Sequence, residues 1–202
     1  MDMPRDTMDR LTDEALLALY ATGDAAAARE LTARLVPRVL GYAARLLGDR
    51  TEAEDVAQEA MLRLWRAAAG WRTGEAQVST WLYRVVTNLC TDRLRARGRR
   101  GPVGTDDVPE VADGAAGAEA GLIEADRMAA LDAALAELPE RQRQALVLRH
   151  LEGLSNPEIA AVMDMGVEAV ESLTARAKRA LAVLLQGRRG ALGYGEGVGD
   201  GG

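Results

Sequence analysis

Residues 101–121, GPVGTDDVPEVADGAAGAEAG, constrain the fold more than any other stretch. They are rich in Gly, Ala, Pro and acids and hold no Lys or Arg and no helical apolar stripe. Such a segment cannot bury enough apolar surface to offset the entropy of ordering it, so it reads as a flexible acidic linker over 101–122. The chain of 202 residues then has material for two small domains, over 10–100 and 123–186. Two roles fit the linker: a passive tether, or an acidic strand that occupies a basic groove otherwise meant for nucleic acid.

Hydrophobic residues make up 48% of the chain, but much of that is Ala and Leu and none is Phe, which favours helices over sheets. An all-α protein is the expectation. The longest apolar runs are too short to cross a membrane, and the opening MDMPRDTMDR has no apolar signal core, which predicts a cytoplasmic protein with no membrane insertion. One cysteine, Cys90, rules out an internal disulfide, and one histidine beside it makes no conventional zinc site, so neither metal nor cofactor is expected. The net charge is −6 but uneven. Residues 84–100 are basic, 102–126 carry acids alone, and the last helix ends in Arg176, Lys178 and Arg179, followed by Arg188 and Arg189.

In the first unit, Thr12 is an N-cap candidate for a helix that stops at Gly23, and Asp24 can cap a second helix to about Leu47. Pro37 predicts a kink or break in it, and Gly48 its end. Thr51-Glu52-Ala53-Glu54 reads as a capping box opening a third helix that ends near Gly70. There Ala53, Val56, Ala57, Ala60, Met61, Leu64 and Trp65 form an apolar stripe, leaving Asp55, Gln58, Glu59, Leu62, Arg63 and Arg66 on a second face. That face is either solvated with one stray leucine, or a docking surface. A loop with Gly74 then leads to residues 79–100, with Ser79 as the expected N-cap. On this helix Leu82, Val85, Val86 and Leu89 fall on one side and Thr80, Arg84, Thr87, Asn88, Thr91, Asp92 and Arg95 on another. Arg, Asn and Thr reach phosphates and base edges, and Trp71, Trp81 and Tyr83 offer flat surfaces to unstacked bases. An amphipathic helix with a solvated basic face fits the same pattern.

In the second unit helices are expected over 123–137 and from Pro139 to Leu151, with Gly153 as a stop. Ser155-Asn156-Pro157-Glu158 is a second capping box, opening a short helix to about Met163. A turn at Asp164-Met165-Gly166 and a longer helix over 167–185 complete a helix-turn-helix pattern, although a generic helical hairpin would look alike. In a helix-turn-helix the second helix enters the major groove, which makes Ser172 and Arg176 the candidates for base contact and Lys178 and Arg179 for phosphate. The glycine-dominated tail, 187–202, is expected to be disordered.

Together the two units resemble the bacterial sigma factors of the extracytoplasmic-function (ECF) group, over about 16–97 and 129–185. DVAQEAMLRLWR at 55–66, STWLYRVVTNLCTDRLR at 79–95 and LPERQRQALVLRHLEGLSNPEIAAVMDMGVEAVESLTARAKRAL at 138–181 carry the resemblance. It implies a protein that binds core RNA polymerase and directs it to specific promoters. The β′ coiled coil would dock on Asp55, Gln58, Glu59, Leu62 and Arg63, and the β flap would be a further polymerase contact. The non-template strand of the minus-ten element would meet Val78, Ser79, Trp81, Tyr83, Arg84, Asn88, Asp92 and Arg95, with Asn88 and the loop before Ser79 holding a flipped base. Ser172, Ala175 and Arg176 would read the minus-thirty-five duplex. The acidic linker would thread the polymerase toward its active-site cleft and RNA exit path, and a cognate anti-sigma factor would hold the protein silent.

Holding extruded bases in a pocket and on aromatic rings returns on the order of 1–3 kcal/mol per base, which offsets the melting cost without hydrolysis. The net acidity fits a protein that binds duplex poorly until polymerase holds both domains at the right separation. A stand-alone helix-turn-helix repressor or activator is the alternative and predicts a dimer on a palindrome; the DVAQE face and the Trp81 cluster argue against it. No Ser/His/Asp arrangement, phosphate loop or metal cluster supports an enzyme, and His150 reads as a helix-surface residue.

Overall fold

A computed structural model describes residues 8–72, 74, 77–100 and 118–186. All regular structure among them is helical: α1 (Asp13–Ala21), α2 (Ala25–Leu47), α3 (Arg50–Ala67), a 3-10 turn (Ala68–Gly70), α4 (Val78–Arg100), α5 (Ala118–Ala136), α6 (Glu140–His150), α7 (Asn156–Met163) and α8 (Val167–Gln186). Residues 101–117 of the linker expected over 101–122, and the tail over 187–202, lie outside the described residues.

Local signals set several of the boundaries. The Thr12 hydroxyl accepts from Ala15 N at 3.2 Å and the Asp24 carboxylate from Ala26 N and Ala27 N, so each caps its helix as expected. Gly48, at φ 65°, ends α2 in the left-handed conformation that a glycine adopts without strain. Pro37 neither breaks nor ends α2. Leu31, Leu35, Val39, Tyr42 and Leu46 are all buried along it, and burying such side chains is worth roughly 1.5–3 kcal/mol each, enough to outweigh one missing hydrogen bond.

Two expected starts move. α3 is capped by Asp49, which accepts from Glu52 N at 2.9 Å, and Thr51 lies exposed inside the first turn. α4 begins at Val78, with Gln77 O accepting from Trp81 N at 3.0 Å, so Ser79 is a first-turn residue and not the N-cap. The amide of Val78 is satisfied from α1, by the Glu14 carboxylate at 2.9 Å. Burial raises the pKa of that carboxyl, but the Val78 and Glu14 amides and the Thr12 hydroxyl outweigh it and hold the group below its ordinary value.

In the second unit α5 starts at Ala118, inside the segment expected to be linker through 122. The Ser155–Glu158 capping box is present, with Ser155 N donating to Glu158 Oε2 at 2.7 Å. Asp164, at φ 51°, makes the left-handed turn between α7 and α8.

The two helical units pack against each other. On α6 every residue from Arg143 through Leu148 is buried, which one neighbouring face could not achieve. One side of α6 packs on α8, and α2 and α4 cover the second unit from the other side.

Candidate polymerase and promoter surfaces

On α3 the apolar stripe turns inward and leaves Asp55, Gln58, Leu62 and Arg63 exposed, with Glu59 half-buried. Arg63 Nε donates to Glu59 Oε1 at 2.8 Å. That bond, and the positive charge behind it, hold the Glu59 carboxyl below the usual range. Leu62 is 41% exposed, unusual for a large apolar side chain. It borders an apolar groove of about 380 Å³ between α2 and α3, formed with Val36, Leu40, Met61 and Trp65 and edged by Gln58. All five residues expected to dock on polymerase therefore share one face, and an apolar recess lies in it.

The minus-ten residues divide into three groups. Arg84, Asn88, Asp92 and Arg95 are exposed in a stripe along α4. With Thr87 and Thr91 they line one wall of a polar cleft of about 600 Å³ whose opposite wall includes Glu140, Arg141, Gln144 and Asp164 of the second unit. Trp81 and Ser79 are half-buried, and Trp81 stands edge-on to Trp71 at 5.6 Å between ring centres. Val78 and Tyr83, at 0% and 2% exposure, do not lie on the α4 surface. The Val78 side chain is core. The Tyr83 ring packs edge-to-face on Tyr42 at 5.4 Å, and its hydroxyl donates to Glu152 Oε2. Burial first, and then the neighbouring carboxylate, raise the pKa of that phenol. Thr87 also leaves the polar face expected for it, lying buried with its hydroxyl 2.9 Å from that of Tyr42.

Part of the basic end of α4 is structural. Arg97 donates to Leu47 O at 2.8 Å and reaches Asp49 and Glu52, while Arg93 donates to Glu52 O. Both cations thus fasten the start of α3. Burial pushes the Cys90 thiol up to about 12, in keeping with a plain helix residue.

On α8, Ser172, Ala175, Arg176 and Arg179 lie within one face at 100° per residue, and Ala175, Arg176 and Arg179 are exposed. Arg176 Nη2 donates to Ser172 Oγ at 2.7 Å, joining the two base-contact candidates into one polar unit. Lys178 stands about 120° from Ser172 at that helical pitch, beyond the edge of this face. It lines an apolar groove of about 280 Å³ among α5, α6 and α8 with Leu131, Val147, His150, Leu151 and Leu181. There burial, Lys178 and Arg149 lower the pKa of the exposed His150. Glu171 accepts from Asn156 Nδ2 at 3.3 Å, which ties α8 to α7.

Residues 31–100 match Sigma-70 region 2, and residues 128–181 match Sigma-70, region 4. The RNA polymerase sigma-H factor of Pseudomonas aeruginosa is 36% identical over 86% of this chain and 94% of its own length. The ECF RNA polymerase sigma-E factor of Escherichia coli is 34% identical over the same shares. A solved structure of CnrH in complex with the cytosolic domain of CnrY aligns with a TM-score of 0.64 and 29% identity, over 87% of this chain and 97% of that one. Two sigma-70 regions in order, on an all-helical two-domain fold, define a sigma factor. The chain belongs to the ECF group of RNA polymerase sigma factors, a family of transcription initiation factors. Among the described residues no helix is long and apolar enough to cross a membrane, and no cluster of His, Cys, Asp and Glu could hold a metal.

Proposed function

We propose that this protein, a sigma factor working in the cytoplasm without catalysis of its own, docks on the β′ coiled coil of core polymerase through Asp55, Gln58, Glu59, Leu62 and Arg63. A projecting leucine beside an apolar recess, ringed by charges of both signs, is the usual make-up of a protein-docking face. We assign the β flap to the apolar groove beside Leu151 and Leu181. Residues 10–100 serve as the docking and melting domain, 101–122 as the linker and 123–186 as the duplex-reading domain.

The observation that carries the promoter reading is the stripe Arg84, Asn88, Asp92 and Arg95, four exposed polar side chains on one face of α4, with Trp81 and Trp71 at its start. Arginine serves the strand's phosphates, Asn88 offers both a donor and an acceptor to a base edge, and the indoles offer stacking. Trp81 and Ser79 join this surface; Val78 and Tyr83 support it from beneath. Arg176 and Ser172 read the minus-thirty-five duplex with Ala175 beside them and Arg179 on phosphate. CnrH, a structural neighbour, is solved in complex with the cytosolic domain of CnrY. An anti-sigma partner follows for this chain by that likeness.

Permanganate footprinting of promoter DNA tests the reading. Core polymerase with this protein makes minus-ten thymines reactive, and Asn88→Ala abolishes that reactivity while polymerase binding persists. Unchanged reactivity in Asn88→Ala contradicts the assignment of α4.

A further inference from the structure

The start of α8 carries a carboxylate that the reading of its basic end does not use. Glu168, Glu171, Ser172, Ala175, Arg176 and Arg179 follow the spacing i, i+3, i+4, i+7, i+8, i+11. That spacing gathers them on the side of the helix opposite the buried Val170 and Ala177. Glu171 is exposed at the edge of this side that faces α7, one turn before Ala175. There Asn156 Nδ2, from the first turn of α7, donates to Glu171 Oε1 at 3.3 Å and biases a flexible side chain toward one orientation. A carboxylate has about four acceptor sites, so this bond leaves capacity for a ligand.

From this placement we infer that Glu171 is a specificity-determining residue of the minus-thirty-five contact, taking the amino group of a cytosine in the major groove. Asn156 is the positioning residue that aims it. The inference rests on the reading of α8 as the duplex-reading helix given above.

Two physical arguments support it. In a helix-turn-helix the N-terminal part of the second helix meets the base edges, and an ionised carboxylate there can only accept hydrogen bonds. In the major groove guanine presents two acceptors, adenine an acceptor beside its donor, and thymine an acceptor beside its methyl group. Cytosine alone presents a donor with no acceptor on the same base. The same charge is repelled by guanine edges and by phosphates, so Glu171 rejects other sequences as well as favouring one. The second argument is spacing. Arg176, joined to Ser172 by its 2.7 Å bond, follows Glu171 by five residues, about 7.5 Å along the axis, or roughly two base-pair rises. Guanine O6 and N7 are the match for arginine. The helix therefore calls for a guanine and a cytosine about two base pairs apart, one under each end of the stripe.

The test uses core polymerase with the full chain on a template library in which the upstream element of a promoter it uses is randomised. Each template carries a transcribed barcode, and the RNA is sequenced. Wild type favours cytosine about fivefold or more over the other bases at one position, roughly two base pairs from a guanine whose preference depends on Arg176. Glu171→Gln keeps an acceptor for Asn156 but adds a donor, the match for adenine N6 and N7, so the preference at that position moves from cytosine to adenine. Glu171→Ala levels the four bases there and leaves the guanine preference in place. Asn156→Ala lowers the cytosine preference at the same position only. A carboxylate that merely ties α8 to α7 does none of this, so wild-type preferences retained in Glu171→Gln and Glu171→Ala overturn the inference. An equal gain on every template, the mark of charge repulsion without base reading, overturns it too. If Arg176→Ala alone shifts a preference, α8 stands as the reading helix and Glu171 is not a reader. If neither residue shifts one, the reading of α8 falls and the inference falls with it.

Discussion

The hydroxyls of Tyr42 on α2 and Thr87 on α4 lie 2.9 Å apart in the buried core of the first domain, and Thr87 also donates to Tyr83 O at 2.7 Å. Deleting one member of this pair strands the other away from water. Thr87→Val is therefore expected to destabilise the protein by about 1–3 kcal/mol, read as a lower midpoint in denaturant. In the double variant Thr87→Val with Tyr42→Phe the loss is smaller than the sum, because no polar atom is then left alone.

Leu62 gives the opposite expectation. At 41% exposure it contributes little to the core, so Leu62→Ala leaves thermal stability within about 0.5 kcal/mol of wild type. As an anchor on the docking face, its truncation is expected to weaken core-polymerase binding by roughly thirtyfold or more, equivalent to about 2 kcal/mol. Titration of labelled protein with core enzyme measures the loss.

Arg97 stands in the basic run of α4, yet it bonds Leu47 O and the Asp49 and Glu52 carboxylates. Arg97→Ala is expected to lower stability by about 1–2 kcal/mol, the range of a partly screened charged hydrogen-bond cluster. Affinity for single-stranded DNA changes little, whereas Arg95→Ala has the reverse profile. Paired melts and strand titrations separate the two arginines.

Glu14 and Glu158 couple stability to pH in the same direction. Burial works against the charged form of Glu14, but the hydrogen bonds it accepts outweigh that. Glu158 is lowered chiefly by the Ser155 hydroxyl and amide. With folded values below the ordinary 4.5, both contribute stability that is present above that value and is lost as pH falls through the folded one. Glu14→Gln is thus expected to melt lower than wild type at pH 7, and the gap closes in melts taken toward pH 3.

These contacts also mark what the sequence could and could not tell. Thr12, Asp24, Gly48 and the Ser155–Glu158 box act within four residues of the backbone groups they serve, so local pattern finds them. Asp49 and Val78 start their helices with help from Arg97 and Glu14, 48 and 64 residues away, and no local rule sees that. Thr87 and Tyr83 carry polar atoms that suit a surface, but the partners that let them be buried, Tyr42 and Glu152, lie on other helices or turns. Charge alone puts Lys178 in the DNA-facing set, although it lines the groove beside α6, at the far edge of that face. The stripe Arg84, Asn88, Asp92 and Arg95 and the α3 face follow helical period directly, and both were legible from it.

Transcription in vitro tests the central claim most directly, with purified core polymerase, this protein and pooled genomic DNA, and the RNA starts mapped by sequencing. Discrete starts that require the protein are expected, sharing two upstream elements, one weakened in use by Asn88→Ala and the other by Arg176→Ala. If core polymerase gains no specific starts while the protein alone protects a palindromic site from nuclease, the account of a sigma factor acting through α3, α4 and α8 is contradicted.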